Sequence, residues 1–170
     1  NDWSPAFLCD FIVNTHHSYV RNNLPDIVAY ADKVRKVHGG RHPELLEIWQ
    51  RVSEVNTEMM AHMVKEEKVL FPYIHELVKV ADKTESAHAK ELGTVQQPIQ
   101  MMEMEHEVVG EHLAKIRELT GHYTLPDDAC ASYSLLYRML DAFEDDLHLH
   151  VHLENNILFP KAIELEKRLN

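Results

Sequence analysis

The pattern His-x-x-x-Glu-x-x-x-Leu-Phe-Pro occurs twice in this chain, over residues 62–72 and again over residues 150–160. The register is the same throughout. His62 and His150, Glu66 and Glu154, Leu70 and Leu158, Phe71 and Phe159, and Pro72 and Pro160 are each separated by 88 positions. A histidine and a carboxylate four residues apart share one face of a helix, roughly 5–6 Å apart between Cβ atoms. Two such pairs on two helices have the form of half a paired metal site, so the fold must bring the two copies together for the motif to act.

Helical periodicity supplies a framework for that. Four long segments carry apolar residues at alternating steps of three and four, separated by turn signals. The first opens at Ser4-Pro5, an N-cap followed by proline at the first helical position, and ends at Val37-His38-Gly39-Gly40. The second spans about Pro43 to Val80 with a bend expected at Pro72, and Ala81 to Gln97 reads as a polar loop. The third runs from near Pro98 to Thr120-Gly121, and the fourth is opened by Leu125-Pro126-Asp127-Asp128, bends at Pro160 and reaches about Leu169. Pro25 lies inside the first helix, where a kink or a new turn is expected.

The apolar stripes read Val13, His17, Val20, Leu24, Ile27, Ala31, Val34 on the first helix and Ile48, Val52, Val55, Met59, His62, Glu66, Val69, Tyr73 on the second. On the third they read Ile99, Met102, His106, Val109, Leu113, Ile116, and on the fourth Leu136, Leu140, Phe143, Leu147, His150, Glu154, Ile157. Each stripe is interrupted by polar groups, of the same types in matching halves: one histidine on helices one and three, His-x-x-x-Glu on helices two and four. The expected fold is therefore all-α, an up-down-up-down four-helix bundle built as a duplicated helical hairpin.

Composition narrows the function classes. A chain of 170 residues fits one domain, and 45% hydrophobic residues with only five glycines suit an ordered helical globule. A net charge of −11 repels phosphate backbones and anionic lipid, so neither nucleic acid nor membrane is an expected partner. Cys9 and Cys130 form no motif. With no signal peptide evident, a reducing cytoplasm is the expected compartment, and the start at Asn1 implies processing or excision from something longer.

Among 13 histidines, six have a bland reading. His38 and His42 flank a glycine pair and are expected in a loop. His75, His88, His112 and His122 lack partner spacing and are expected on the surface. A single histidine in an apolar stripe is more often a hydrogen-bonded core residue than a ligand, but a glutamate there is harder to dismiss. An ionised carboxylate without a partner costs several kcal/mol to bury, and no lysine or arginine occupies a stripe position near Glu66 or Glu154. Four histidines and two glutamates, the set His17, His62, Glu66, His106, His150 and Glu154, call for a cation. Imidazole and carboxylate without thiolate suit iron, manganese or zinc. Six ligands exceed the usual four of one zinc, so two metals fit better. With both glutamates bridging and an oxo or hydroxo bridge between two roughly six-coordinate irons, about one position per metal stays open, which implies binding or chemistry there.

His16 falls about 100° round the helix from His17 and off the stripe. His148 and His152, also four apart, could bind a metal by themselves but lie off the stripe of His150. Glu58, one turn before His62, and Glu105, beside His106, are either solvated acids or groups that relay protons, line an access route or orient ligands. The seven methionines read as core filler.

Thr15-His16-His17, His62-x-x-x-Glu66, Glu105-His106 and His150-x-x-x-Glu154-Asn155-Asn156-x-Leu158-Phe159-Pro160 together resemble the hemerythrin-like (HHE) cation-binding domain. Within it the chain is most similar to the di-iron proteins for repair of iron centres. The resemblance covers residues 1–170 as a single domain. It implies two non-haem irons ligated by His17, His62, His106 and His150 and bridged by Glu66 and Glu154, with Glu58 and Glu105 matching family acids near the site. Two departures stand out. Oxygen-carrying hemerythrins have His-x-x-x-His on the third helix, whereas the position four after His106 is Gly110, which opens the site. The family's short N-terminal domain with a cysteine pair is absent from this sequence, so any thiol chemistry it carries is not expected here.

The function this implies is repair of iron–sulfur clusters damaged by nitrosative or oxidative stress. Nitric oxide or oxygen would be the small ligand and damaged iron–sulfur proteins the iron acceptors. The centre would either reduce nitric oxide, with Glu105 or Glu58 assisting proton delivery, or donate labile iron. The alternatives are a hemerythrin-like binder or sensor of oxygen or nitric oxide without turnover, and a metal-free interaction bundle.

Overall fold

The computed structural model describes residues 2–82 and 93–170. Four helical rods make up the described residues. The first is α1 (Pro5–Phe11), a π-helical turn (Ile12–His17) and α2 (Ser18–His38). The second is α3 (Glu44–Lys65), a π turn (Glu66–Leu70) and α4 (Phe71–Ala81). The third is the uninterrupted α5 (Gln96–Leu119). The fourth is α6 (Ala131–His152), a π turn (Leu153–Leu158) and α7 (Phe159–Leu169).

Local chemistry accounts for the ends. The Ser4 side chain accepts from Phe7 N at 3.1 Å with Pro5 just inside the helix, as the sequence predicts. Pro25 is carried within α2 without ending it, and the departures from α-helical winding fall elsewhere, at the π turns. The fourth rod starts at Ala131 rather than at Pro126, because the stretch from Pro126 is taken up by a tight turn that closes from Ala129 N to Pro126 O at 3.1 Å. Of the expected loop from Ala81 to Gln97, residues 83–92, with His88, lie outside the described residues, and Gln96 and Gln97 already belong to α5.

Contacts at the two ends fix the up-down-up-down course. At one end Lys161 donates to Trp3 O, and Glu166 accepts from Val95 N. At the other, His42 pairs with Asp128 at 2.8 Å. Between these ends α2 packs on α3 and α6, and α3 on α5.

The core is in two parts. One apolar cluster runs from Val20 to Leu147 through Ile48, Met59, Leu113 and Phe143; the other gathers Leu8, Ile12, Leu70, Ile74, Ile99 and Phe159. Between them lies a belt of buried polar side chains. Each π turn admits one extra residue and rotates all that follows relative to an α-helical register. The second core is therefore built from residues one place off the expected stripes. Ile12 is buried instead of Val13, Leu70 and Ile74 instead of Val69 and Tyr73, and Leu158 instead of Ile157. The third rod has no π turn, and its six expected stripe residues are all buried.

Glu166 ties the end of the bundle together. Its buried carboxylate accepts from Tyr73 OH at 2.6 Å, Thr94 Oγ1 at 3.0 Å and Val95 N at 2.9 Å, joining α7, α4 and the start of α5. Glu166→Ala would leave those donors unpaired and is expected to cost about 2–4 kcal/mol. Urea denaturation would measure this, with Glu166→Gln losing less.

Candidate metal centre

All six residues of the expected set are buried, His106 at 7% exposure and the other five at 0–1%. Their ligand atoms form two groups. Those of His17, Glu66, His150 and Glu154 lie within 4.8 Å of one another, and so do those of His62, Glu66, His106 and Glu154. Each glutamate therefore belongs to both groups, one oxygen toward each. Glu66 Oε2 is 2.9 Å from His17 Nε2 while Oε1 is 2.9 Å from His62 Nε2. Glu154 Oε1 is 2.7 Å from His150 Nε2 while Oε2 is 2.8 Å from His106 Nε2. The two groups are related as the two sequence halves are, His17 matching His106 and His62 matching His150.

The Leu-Phe-Pro ends of the motif support this arrangement. Phe71 stacks on His17 with ring centroids 5.8 Å apart, and Phe159 stacks on His106 at 6.2 Å. Pro72 and Pro160 each follow directly, in the first turn of the resumed α-helix, where a missing N–H leaves no bond unmade. The π turns contain or begin at His17, Glu66 and Glu154, so the locally widened winding coincides with the residues of the belt.

The electrostatics call for a cation. No lysine or arginine is buried among the described residues. Glu66 Oε1 and Glu154 Oε2 are buried without a hydrogen bond, although each has an imidazole nitrogen within 2.9 Å. His62 Nε2 and His106 Nε2 face each other at 3.0 Å, where at most one can hold the shared proton. Without a metal, protons fill the role. Burial alone would push the His62 imidazole down, but bonding and charge from Glu66, with Glu154 and Glu105 behind it, push it up to about 9. Burial likewise opposes the charge on His150, yet Glu154 raises it. Burial would raise Glu154, but His150 and His106 hold it well below the usual carboxylate range. Converging lone pairs with no matching donors are what a transition-metal ion satisfies, and imidazole with carboxylate suits iron.

The outer nitrogens of three imidazoles also meet oxygen. His17 Nδ1 lies 3.6 Å from Glu67, His62 Nδ1 3.6 Å from Glu105, and His106 Nδ1 2.8 Å from Asn155 Oδ1. Of these only the Asn155 contact is within hydrogen-bond distance, and it fixes the tautomer that leaves His106 Nε2 for a metal. Glu105 is thus at the edge of the cluster, paired also with Lys65 at 2.9 Å. Glu58 is exposed on α3 and is not drawn in.

His16 departs from expectation. It is 2% exposed, bonded through Nδ1 to Asp146 at 3.1 Å and stacked on the His150 ring at 5.4 Å. The π turn is the reason, since its wider winding turns both His16 and His17 inward. His38 closes α2 instead of lying in a loop, its ring against Tyr133 at 5.1 Å. Glu67, Asn155 and Asp146 carry no periodic signal and emerge only from the packing. His148 and His152 stay exposed, and Gly110 faces open space, with nothing within 4 Å of where a Cβ would stand.

Residues 11–162 match the hemerythrin HHE cation binding domain. The chain is 34% identical over 165 residues to a probable iron-sulfur cluster repair protein of Haemophilus influenzae, covering 95% of this chain and 68% of that one. It is 36% identical over 160 residues to iron-sulfur cluster repair protein YtfE of Yersinia pseudotuberculosis, covering 94% and 66%. With the protein of the same name from Dickeya chrysanthemi it shares 35% over 168 residues, covering 97% and 70%. The chain thus spans about two thirds of the length of these relatives. With its buried histidine and glutamate belt and a family match over nearly its whole length, the chain belongs to the hemerythrin HHE cation-binding domain family.

Proposed function

We propose that this chain is a non-haem di-iron domain that takes part in repairing iron–sulfur clusters damaged by nitrosative or oxidative stress. The observation that carries the reading is the pair of buried carboxylates, each shared between two histidine pairs. His17 and His150 would hold one iron, His62 and His106 the other, and Glu66 and Glu154 would bridge them. When bound, the iron pair supplies open coordination positions for a small ligand such as nitric oxide or oxygen, and one-electron redox capacity.

The protein's own groups have distinct tasks. Phe71 and Phe159 hold the His17 and His106 rings and exclude water from that side. Glu105, partly exposed and 3.6 Å from His62 Nδ1, steadies that ring and is placed to pass a proton between solvent and the cluster. Glu58 is too far out on α3 to touch the cluster and would act only on the approach to it. Gly110 leaves the side over His106 open, which favours reactivity or iron exchange over a closed oxygen-carrying pocket. The names of the relatives point the same way, toward damaged iron–sulfur proteins as acceptors.

The deciding experiment adds nitric oxide to the anaerobically reduced, iron-loaded protein, with an excess of a one-electron reductant to regenerate it after each turnover, and, separately, an apo-cluster acceptor. Multiple-turnover nitrous oxide formation identifies an enzyme, and iron loss to the acceptor identifies a donor. Uptake of nitric oxide with neither identifies a binder or sensor. A preparation holding one zinc and no iron would overturn the di-iron reading.

A further inference from the structure

We propose that His148 and His152 form an accessory transition-metal site at the mouth of the cavity over His106, where iron pauses on its way into and out of the buried centre. This rests on the reading of the cluster as an iron centre. The two histidines are exposed and four residues apart within α6, a spacing that sets their Cβ atoms roughly 5–6 Å apart on one face. Imidazole pairs of this kind take iron, zinc, copper or nickel. Both line a cavity of about 290 Å³ whose other walls include His106, Gly110, Leu147 and Asn156.

Three further features give this pair a direction. His106 has more exposure than the other five residues of the belt, so the cover over the cluster is thinnest at the wall this cavity shares. Gly110 contributes no side chain there, which keeps the passage clear. Asn156, one step further along the same polar edge, lies 2.8 Å from His152 Nδ1. The atom in contact is its Nδ2, so the amide donates to Nδ1 and holds the His152 ring at the edge of the cavity. Leu113, Leu147 and Val151 complete the lining, and Asn155, next to Asn156, touches His106 itself. The net charge of −11 also draws cations toward the surface from a distance.

The test compares the full chain with the His148→Ala/His152→Ala double variant. Each is loaded anaerobically with ferrous iron, its iron content and optical spectrum recorded, and its iron then drawn off by excess chelator in a stopped-flow instrument. Uptake by stripped protein is followed in the same way. The expected result is unchanged iron content and spectrum, with both uptake and release slower by about tenfold. Replacing both histidines with aspartate, which also binds iron, should restore the rates. Rates within about twofold of the parent in an iron-replete double variant would overturn the proposal while leaving the centre intact. A changed spectrum or lost iron in the double variant would make these residues part of the centre, and would overturn it too. A parent that takes up no iron would remove the centre itself, a failure seen before any rate is measured.

Discussion

In the proposed di-iron centre, alanine at Glu66 or at Glu154 is expected to remove both metals, whereas alanine at any one of the four histidines removes at most one. The difference follows from the geometry. Each carboxylate lends an oxygen to both groups of ligand atoms, and each imidazole belongs to one. Metal that binds only the folded chain stabilises it by about 4 kcal/mol when present at a thousand times its Kd. For a chain of this length that is roughly 8–16 °C in Tm. The parent should gain that much on loading with iron, and the Glu66→Ala and Glu154→Ala proteins almost none. His17→Ala or His62→Ala should retain about half the iron and an intermediate gain. Metal analysis beside thermal melts with and without chelator measures all of this. Equal losses from glutamate and histidine variants would contradict shared carboxylates.

The same geometry shows how far the sequence can be read. The four rods, the duplicated halves and the six residues of the belt follow from periodicity and from polar interruptions of apolar stripes. These are signals carried by residue type alone. The π turns are not carried in that way. No residue in the stretches 12–17, 66–70 or 153–158 announces an inserted position, since widened winding is chosen by what packs on either side. On the second-core side of each turn the α-helical reading slips by one, which is why Val69 is 59% exposed while Leu70 is buried. His16 is hidden from the sequence for the same reason. The end of α5 shows another limit. Gly121 marks the stop, but His122 and Tyr123 follow it into the left-handed region at φ 57° and 61°. Such backbone is costly for residues with a Cβ. It is held by Tyr123 OH on Glu144, which Arg117 also contacts at 3.1 Å, a partner 21 residues away that local propensity does not reveal.

Gly110 separates two properties that one substitution usually confounds. A glycine inside a helix costs about 0.5–1 kcal/mol relative to alanine, and a Cβ at this position meets nothing within 4 Å. Gly110→Ala should therefore raise stability by up to about 1 kcal/mol and leave reactivity as it was. Gly110→His adds a side chain one turn beyond His106, into the cavity of about 290 Å³ that the two residues line. Since a Cβ there meets nothing within 4 Å, the imidazole is expected to enter that space and narrow the approach to the cluster. Iron content should stay at the parent level. Nitric oxide consumption by the reduced protein should fall about tenfold, a barrier rise of about 1.4 kcal/mol. The alanine protein controls for the helix and the histidine protein for the opening, so a fall in both would assign the effect to α5 stiffness. An unchanged rate in the histidine protein, with its iron in place, would mean that small ligands reach the centre from another side, with the Glu105 edge the next to block.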